Sequence, residues 1–232
     1  MKLAARIGVL EIGEKEVRLA VVRTGGKVPM LCETHIVSLA EGEWLSEERR
    51  QKVASAVGDL VKKVRHKPHV YLLCADARFA VTRTLTVPFR GKSKVAAAVR
   101  FELEPYLAFP IEEIVTDHNV IREVEGETEV LVVGMRKDLL EPTLQLCAEN
   151  GVDVEAIGID AAGLTALWRC GEKSGKGLNA LLHVRENGCF LVIVQDQTLC
   201  FMRYIGISAD NLQRDPHLAA RDVANTLRSF LA

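Results

Sequence analysis

The order strand, strand, strand, helix occurs twice in this chain, over residues 5–65 and again over 179–232, at similar lengths. In the first copy the strands fall near 6–12, 16–23 and 27–38, separated by short polar turns at Gly13 and Gly25-Gly26. A helix is predicted after Ser46, whose hydroxyl can cap it. Glu47 and Glu48 lie in its first turn, where the helix dipole favours acids. Val53, Val57, Leu60, Val61 and Val64 give it one apolar stripe at helical spacing. In the second copy the strands fall near 179–186, 189–195 and 198–205. The closing helix starts at Pro216 behind an Asp215 cap, with Val223, Leu227 and Leu231 on its apolar face. The copies share no obvious sequence identity, so the repeat is one of architecture.

Between the copies, HVYLLC (69–74) reads as a buried strand and 79–87 as a half-exposed one. A helix over 91–104 stacks Val95, Val99 and Leu103, and Pro105 ends or kinks it. Strands near 114–124 and 128–135 flank a turn at Gly126. The next predicted helix, 139–149, has Asp138 as cap, Pro142 in its first turn and Gly151 just past its end. A strand follows at 152–159, then a short helix capped by Asp160 and ending before Gly171. The polar, glycine-bearing EKSGKG (172–177) reads as a linker. A three-strand meander with a crossover helix begins a ribonuclease-H-like unit, and two such units make the actin-like ATPase fold. The expected class is therefore α/β, an actin-like fold whose second ribonuclease-H-like lobe is incomplete. The expected lobes are 1–79 with 151–171, an inserted small α+β lobe over 80–150, and a truncated or abbreviated lobe over 178–232.

Composition narrows the function classes. A net charge of −1 argues against a dedicated nucleic-acid binder, while leaving room for a local basic patch. The six cysteines form no CxxC pair and lie mostly in apolar runs, so they read as small core residues of a reducing compartment. Arg6 and Glu11 break the first apolar stretch, which excludes a signal peptide there, and no run is long enough to span a membrane. The expected location is cytoplasmic. No GxSxG, HExxH or P-loop occurs; GEKSGKG (171–177) lacks the closing Gly-Lys-Ser/Thr. His118 adjoins Asp117, but neighbouring strand residues point to opposite faces.

Two stretches carry a family resemblance. GKSKVAAAVRFELEPYLAFPIEEIVTDHNVI (91–121) resembles the PilM family, the actin-like component of type IV pilus assembly. Phe101-Glu102, Phe109-Pro110, Ile111 to Val115 and Asp117 stand at the matching places. VLVVGMRKDLLEPTLQLCAENGVDVEAIGIDAAGLTAL (130–167) is also similar, through Arg136, Lys137, Gly151 and Asp160. The cytoplasmic part of the type II secretion platform protein GspL is a close relative. The resemblance implies a protein on the cytoplasmic face of the inner membrane. It would recruit a short cytoplasmic segment of a bitopic partner and link the platform to a motor ATPase. A homo-oligomer is compatible with this, and nucleic acid is not expected. In the family the partner peptide docks between the inserted lobe and the first large lobe. Tyr106, Leu107, Phe109 and Pro110 are the candidate residues for that docking, or else part of the core.

The resemblance also implies two phosphate hairpins for ATP and Mg²⁺. The first, VLEIGEKEVRLAV (9–21), keeps Gly13 and a basic residue, Arg18, but Glu11 replaces an aspartate. Glu14 and Glu16 bring carboxylates to where triphosphate oxygens would lie; like charges about 4 Å apart cost roughly 1 kcal/mol even in water. In the second, His183 replaces the aspartate and cannot order Mg²⁺ as a carboxylate does. Arg185 stands where bare backbone should approach phosphate, before Gly188. Glu11, Gly13, Arg18 and Gly188 are thus expected to be remnants of a degenerate nucleotide site, with no cofactor and no catalysis beyond a weak ATPase. The first alternative is an active ATP-binding switch of the same family. The second is a metal-dependent ribonuclease-H-like nuclease using Glu11 and Asp76, which would need a third acid.

Overall fold

The structure, a computed structural model, describes residues 5–26, 28–40, 46–171 and 176–231; the side chain of Leu231 and four positions of the expected linker, 172–175, lie outside that set. In chain order the elements are β1 (Arg6–Ile12), β2 (Glu16–Arg23), β3 (Met30–Ser38), α1 (Glu47–Lys63), β4 (Val70–Ala75), β5 (Ala80–Val87) and α2 (Lys92–Leu103). Then come β6 (Ile114–Val124), β7 (Glu127–Arg136), α3 (Lys137–Glu149), β8 (Val154–Ile159) and α4 (Asp160–Cys170). The last are β9 (Leu178–Arg185), β10 (Gly188–Gln195), β11 (Thr198–Ile205), α5 (Ala209–Arg214) and α6 (Pro216–Leu231). Two compact units result: residues up to Asp76 with Asp138–Asp160, and Ala77–Lys137 with the residues from Ala161 on.

The first unit is a five-stranded sheet in the order β3-β2-β1-β4-β8. The first three strands are antiparallel; β1-β4 and β4-β8 are parallel. Register places Leu10 opposite Leu19 and Ile12 opposite Val17. These four pack with Val53, Val57 and Leu60 of α1 and with Leu146 and Cys147 of α3. The expected inserted lobe, 80–150, takes in α3; its contacts place it in this core instead, because Leu146 and Cys147 are buried there. The helix also starts at Lys137, directly after β7, so Asp138 lies within the first turn rather than capping it, and Pro142 falls beyond that turn. Its end is a Schellman turn: the Val152 N–H donates to the Cys147 carbonyl at 2.9 Å and the Gly151 N–H to Ala148 at 3.0 Å. That use of the Val152 amide delays β8 to Val154. β4 buries fully only Leu73, so it is less enclosed than its apolar run suggests.

The second unit holds two three-stranded antiparallel sheets, β5-β7-β6 and β11-β10-β9. α2 covers the first sheet, with Val95, Val99 and Leu103 against Leu85, Val87, Val130 and Val132. β10 is buried on both faces from Gly188 to Val194, and α6 packs Ala219, Val223 and Leu227 against Cys189, Leu191 and Ile205. The two sheets are joined by side chains: Thr82 and Thr84 hydroxyls donate to the Met202 and Cys200 carbonyls at 2.7 and 3.3 Å, and the Asn119 amide donates to Leu199 at 3.0 Å. The order β11-β10-β9 followed by α6 repeats β3-β2-β1 followed by α1. α5 is an addition that the sequence pattern does not announce; the Ser208 hydroxyl and Asn211 side chain hold it in a reciprocal capping box. No disulfide joins the six cysteines. Cys147, Cys189 and Cys200 are buried as expected, and burial pushes the Cys147 thiol up to about 11, whereas Cys170 is exposed.

Candidate functional site

The β1–β2 turn is held from inside. The Gly13 N–H donates to the Glu16 carbonyl at 2.9 Å. Antiparallel register sets Glu11 opposite Arg18, whose guanidinium lies 3.5 Å from the Glu11 carboxylate and also pairs with Glu16. Arg18 is half-exposed, so these pairs contribute little to stability. Arg49, on the first turn of α1, is only 3% exposed. It reaches back to donate to the Gly13 and Glu14 carbonyls at 2.9 and 2.6 Å. Arg49 is not among the expected site residues. Its signal was spacing: it stands four residues before Val53, on the apolar stripe itself.

Gly188 belongs to the second unit, and its surroundings account for the glycine without a phosphate. Its φ is +148°, and a Cβ there would come within 2.4 Å of the Tyr204 ring. That ring is fixed by its hydroxyl, which donates to the Asn187 carbonyl, and by Phe190 at a centroid distance of 5.2 Å. His183 pairs in register with Phe190.

The four residues of the inserted lobe separate into two environments. Leu107 and Phe109 pack against the core under α2. Arg136 lies over the Phe109 ring at 5.4 Å, and Pro110 caps a short 3₁₀ turn at Ile111–Glu113. Tyr106 is 53% exposed beneath the Arg83 guanidinium, 4.1 Å from the ring, and Phe101 is 75% exposed. Of these aromatic side chains, Tyr106 and Phe101 are the ones that reach solvent.

A cavity of about 320 Å³ that no sequence pattern announces lies in the first unit, where the N-terminal turns of α1 and α3 approach the end of β1. Ile12, Val53 and Leu146 supply its apolar wall, and Arg49, Arg50, Glu47 and Asp138 its charged one. An apolar wall beside charges of both signs is the kind of lining that ligand clefts show. Among the described residues no group of three or more His, Cys, Asp or Glu is placed to hold a metal ion. No described helix is long and apolar enough to cross a membrane.

A three-strand meander and helix, present twice and completed once by parallel strands, define an actin-like ATPase fold. Solved structures agree. The chain is similar to a protein of the PilM-PilN type IV pilus biogenesis complex, at 21% identity and a TM-score of 0.74, over 88% of this chain and 62% of that one. It is similar to the cytoplasmic domain of EpsL, an inner-membrane component of the type II secretion system of Vibrio cholerae, at 12% identity and a TM-score of 0.56, over 88% and 72%. It also resembles the Aquifex aeolicus Ppx/GppA phosphatase, at 11% identity and a TM-score of 0.52, over 90% and 55%. The chain thus spans less than two thirds of the pilus and phosphatase proteins. No curated protein sequence matches it. The sequence model of the family described as type IV pilus assembly protein PilM matches residues 8–212, and the chain belongs to that family.

Proposed function

We propose that this chain is a scaffold of an inner-membrane pilus or secretion platform, at the cytoplasmic face, which holds a short cytoplasmic segment of a bitopic protein and does not turn over nucleotide. The observation that carries the reading is the state of the β1–β2 turn. Its Gly13 N–H is given to Glu16, and Arg18 is held by Glu11 and Glu16. A triphosphate would have to break these bonds and sit beside the Glu14 and Glu16 carboxylates. Family membership and the similarity to a PilM-PilN complex support a bitopic partner. The cavity with Arg49, Arg50 and Ile12 is the favoured seat for its segment. The exposed pair Tyr106 and Phe101 favours a second seat on the inserted lobe.

Fluorescence anisotropy with labelled peptides from the cytoplasmic segments of bitopic pilus and secretion proteins tests this. Saturable binding of one peptide, weakened in Arg50→Glu, is the expected result. Loss in Tyr106→Ala instead would move the seat to the inserted lobe. Failure of every such peptide, with ATP hydrolysis present, would overturn the scaffold reading.

A further inference from the structure

The chain carries a net charge of −1, yet cations gather at one end of the first unit. β1–β2 register sets Arg6 directly opposite Arg23, and β2–β3 register sets Arg23 opposite Met30. Like charges opposite one another across an antiparallel pair are destabilising. Among the described residues neither guanidinium reaches a carboxylate at ion-pair distance; the side-chain contact of Arg23 is the Met30 sulfur at 3.6 Å. His66 and His69, from the turn after α1, join Arg6, Arg23, Met30 and Leu31 around a cavity of about 500 Å³. Lys62, Lys63, Arg65 and Lys67 are exposed on the same stretch of chain. Among the described residues, Glu33 is a carboxylate in contact with this stretch. Its oxygens accept from the Arg65 and His66 N–H groups and from the His35 and His66 rings.

An independent feature lies beside the cations. Val28, Met30 and Leu31 are 68%, 46% and 62% exposed. β3, which carries Met30 and Leu31, is an edge strand, where charged side chains are the usual protection. Exposed apolar side chains beside arginines match a lipid interface. The apolar groups enter it, while the long basic stems reach back to the phosphates. No Phe, Tyr or Trp lines the cavity, so the stacking platform of a single-stranded nucleic-acid site is missing from it.

We propose that this end of the first unit docks on an anionic lipid surface, with a headgroup phosphate between Arg6 and Arg23 and with Val28, Met30 and Leu31 in the interface. This goes beyond the scaffold reading and does not depend on it. The test is flotation of the full chain with vesicles of phosphatidylcholine alone or mixed with phosphatidylglycerol. Flotation with the anionic vesicles alone, reduced by added salt, is expected. Two lost cations in the Arg6→Gln/Arg23→Gln variant should lower partitioning about thirtyfold. Leu31→Ser removes an exposed side chain and should lower it about tenfold with the fold intact by circular dichroism. It therefore decides the matter if the double variant misfolds. The proposal is overturned if the chain stays with the unbound fraction or if neither variant changes flotation. It is also overturned if Leu31→Ser floats normally while duplex DNA or inorganic phosphate competes for the arginines.

Discussion

Glu33 sits on β3, where it gathers hydrogen bonds from residues more than thirty positions away. Partial burial pushes its carboxyl up. The His66 N–H, the His35 ring, the Arg65 N–H and the His66 ring together outweigh that and hold it at about 2. Because the folded value lies below the ordinary 4.5, the stabilisation is complete above pH 4.5 and is lost as pH falls from 4.5 through 2. Glu33→Gln should cost about 1–3 kcal/mol at neutral pH, by weakening charge-assisted bonds. Thermal midpoints of the two proteins should converge near pH 2. The local sequence CETHI shows only the His35 partner; the Arg65 and His66 groups arrive from beyond the far end of α1. Gly188 teaches the same lesson. A turn glycine is visible in ENGC, but the ring that requires it belongs to Tyr204, on a different strand.

At the level of elements, strands and helices were legible where period and caps agreed. The Ser46 hydroxyl accepts the Arg49 N–H at 3.2 Å, and Asp215 accepts the Leu218 N–H at 3.0 Å, both as their positions suggested. What period could not say is which sheet a helix covers. α3 has an ordinary amphipathic pattern, and only long-range packing of Leu146 and Cys147 assigns it to the first core. Arg49 ties α1 to the β1–β2 turn, so Arg49→Met should destabilise the protein by about 2–4 kcal/mol, read from urea unfolding. The bonds from β5 to the β11 carbonyls are the corresponding tie in the second unit. Thr82→Val with Thr84→Val should cost about 1–3 kcal/mol and speed amide exchange in 80–87 and 198–205 while leaving 6–23 unchanged.

For the whole molecule, element order was the informative quantity. Two meanders with their helices pointed to the actin-like fold, because few topologies accommodate that order. The partition of the chain was less visible. The inserted strands join β9–β11 in one compact unit through hydroxyl-to-carbonyl bonds, and such contacts leave no periodic trace. In the first turn the acids Glu11, Glu14 and Glu16 were legible in the sequence, but not the way Arg18 and Arg49 close that turn. That closure is the centre of the functional reading, and calorimetric titration of ATP with Mg²⁺ into the purified chain addresses it most directly. No saturable heat up to millimolar nucleotide is expected. A saturable micromolar isotherm, weakened by Arg18→Ala, would contradict it.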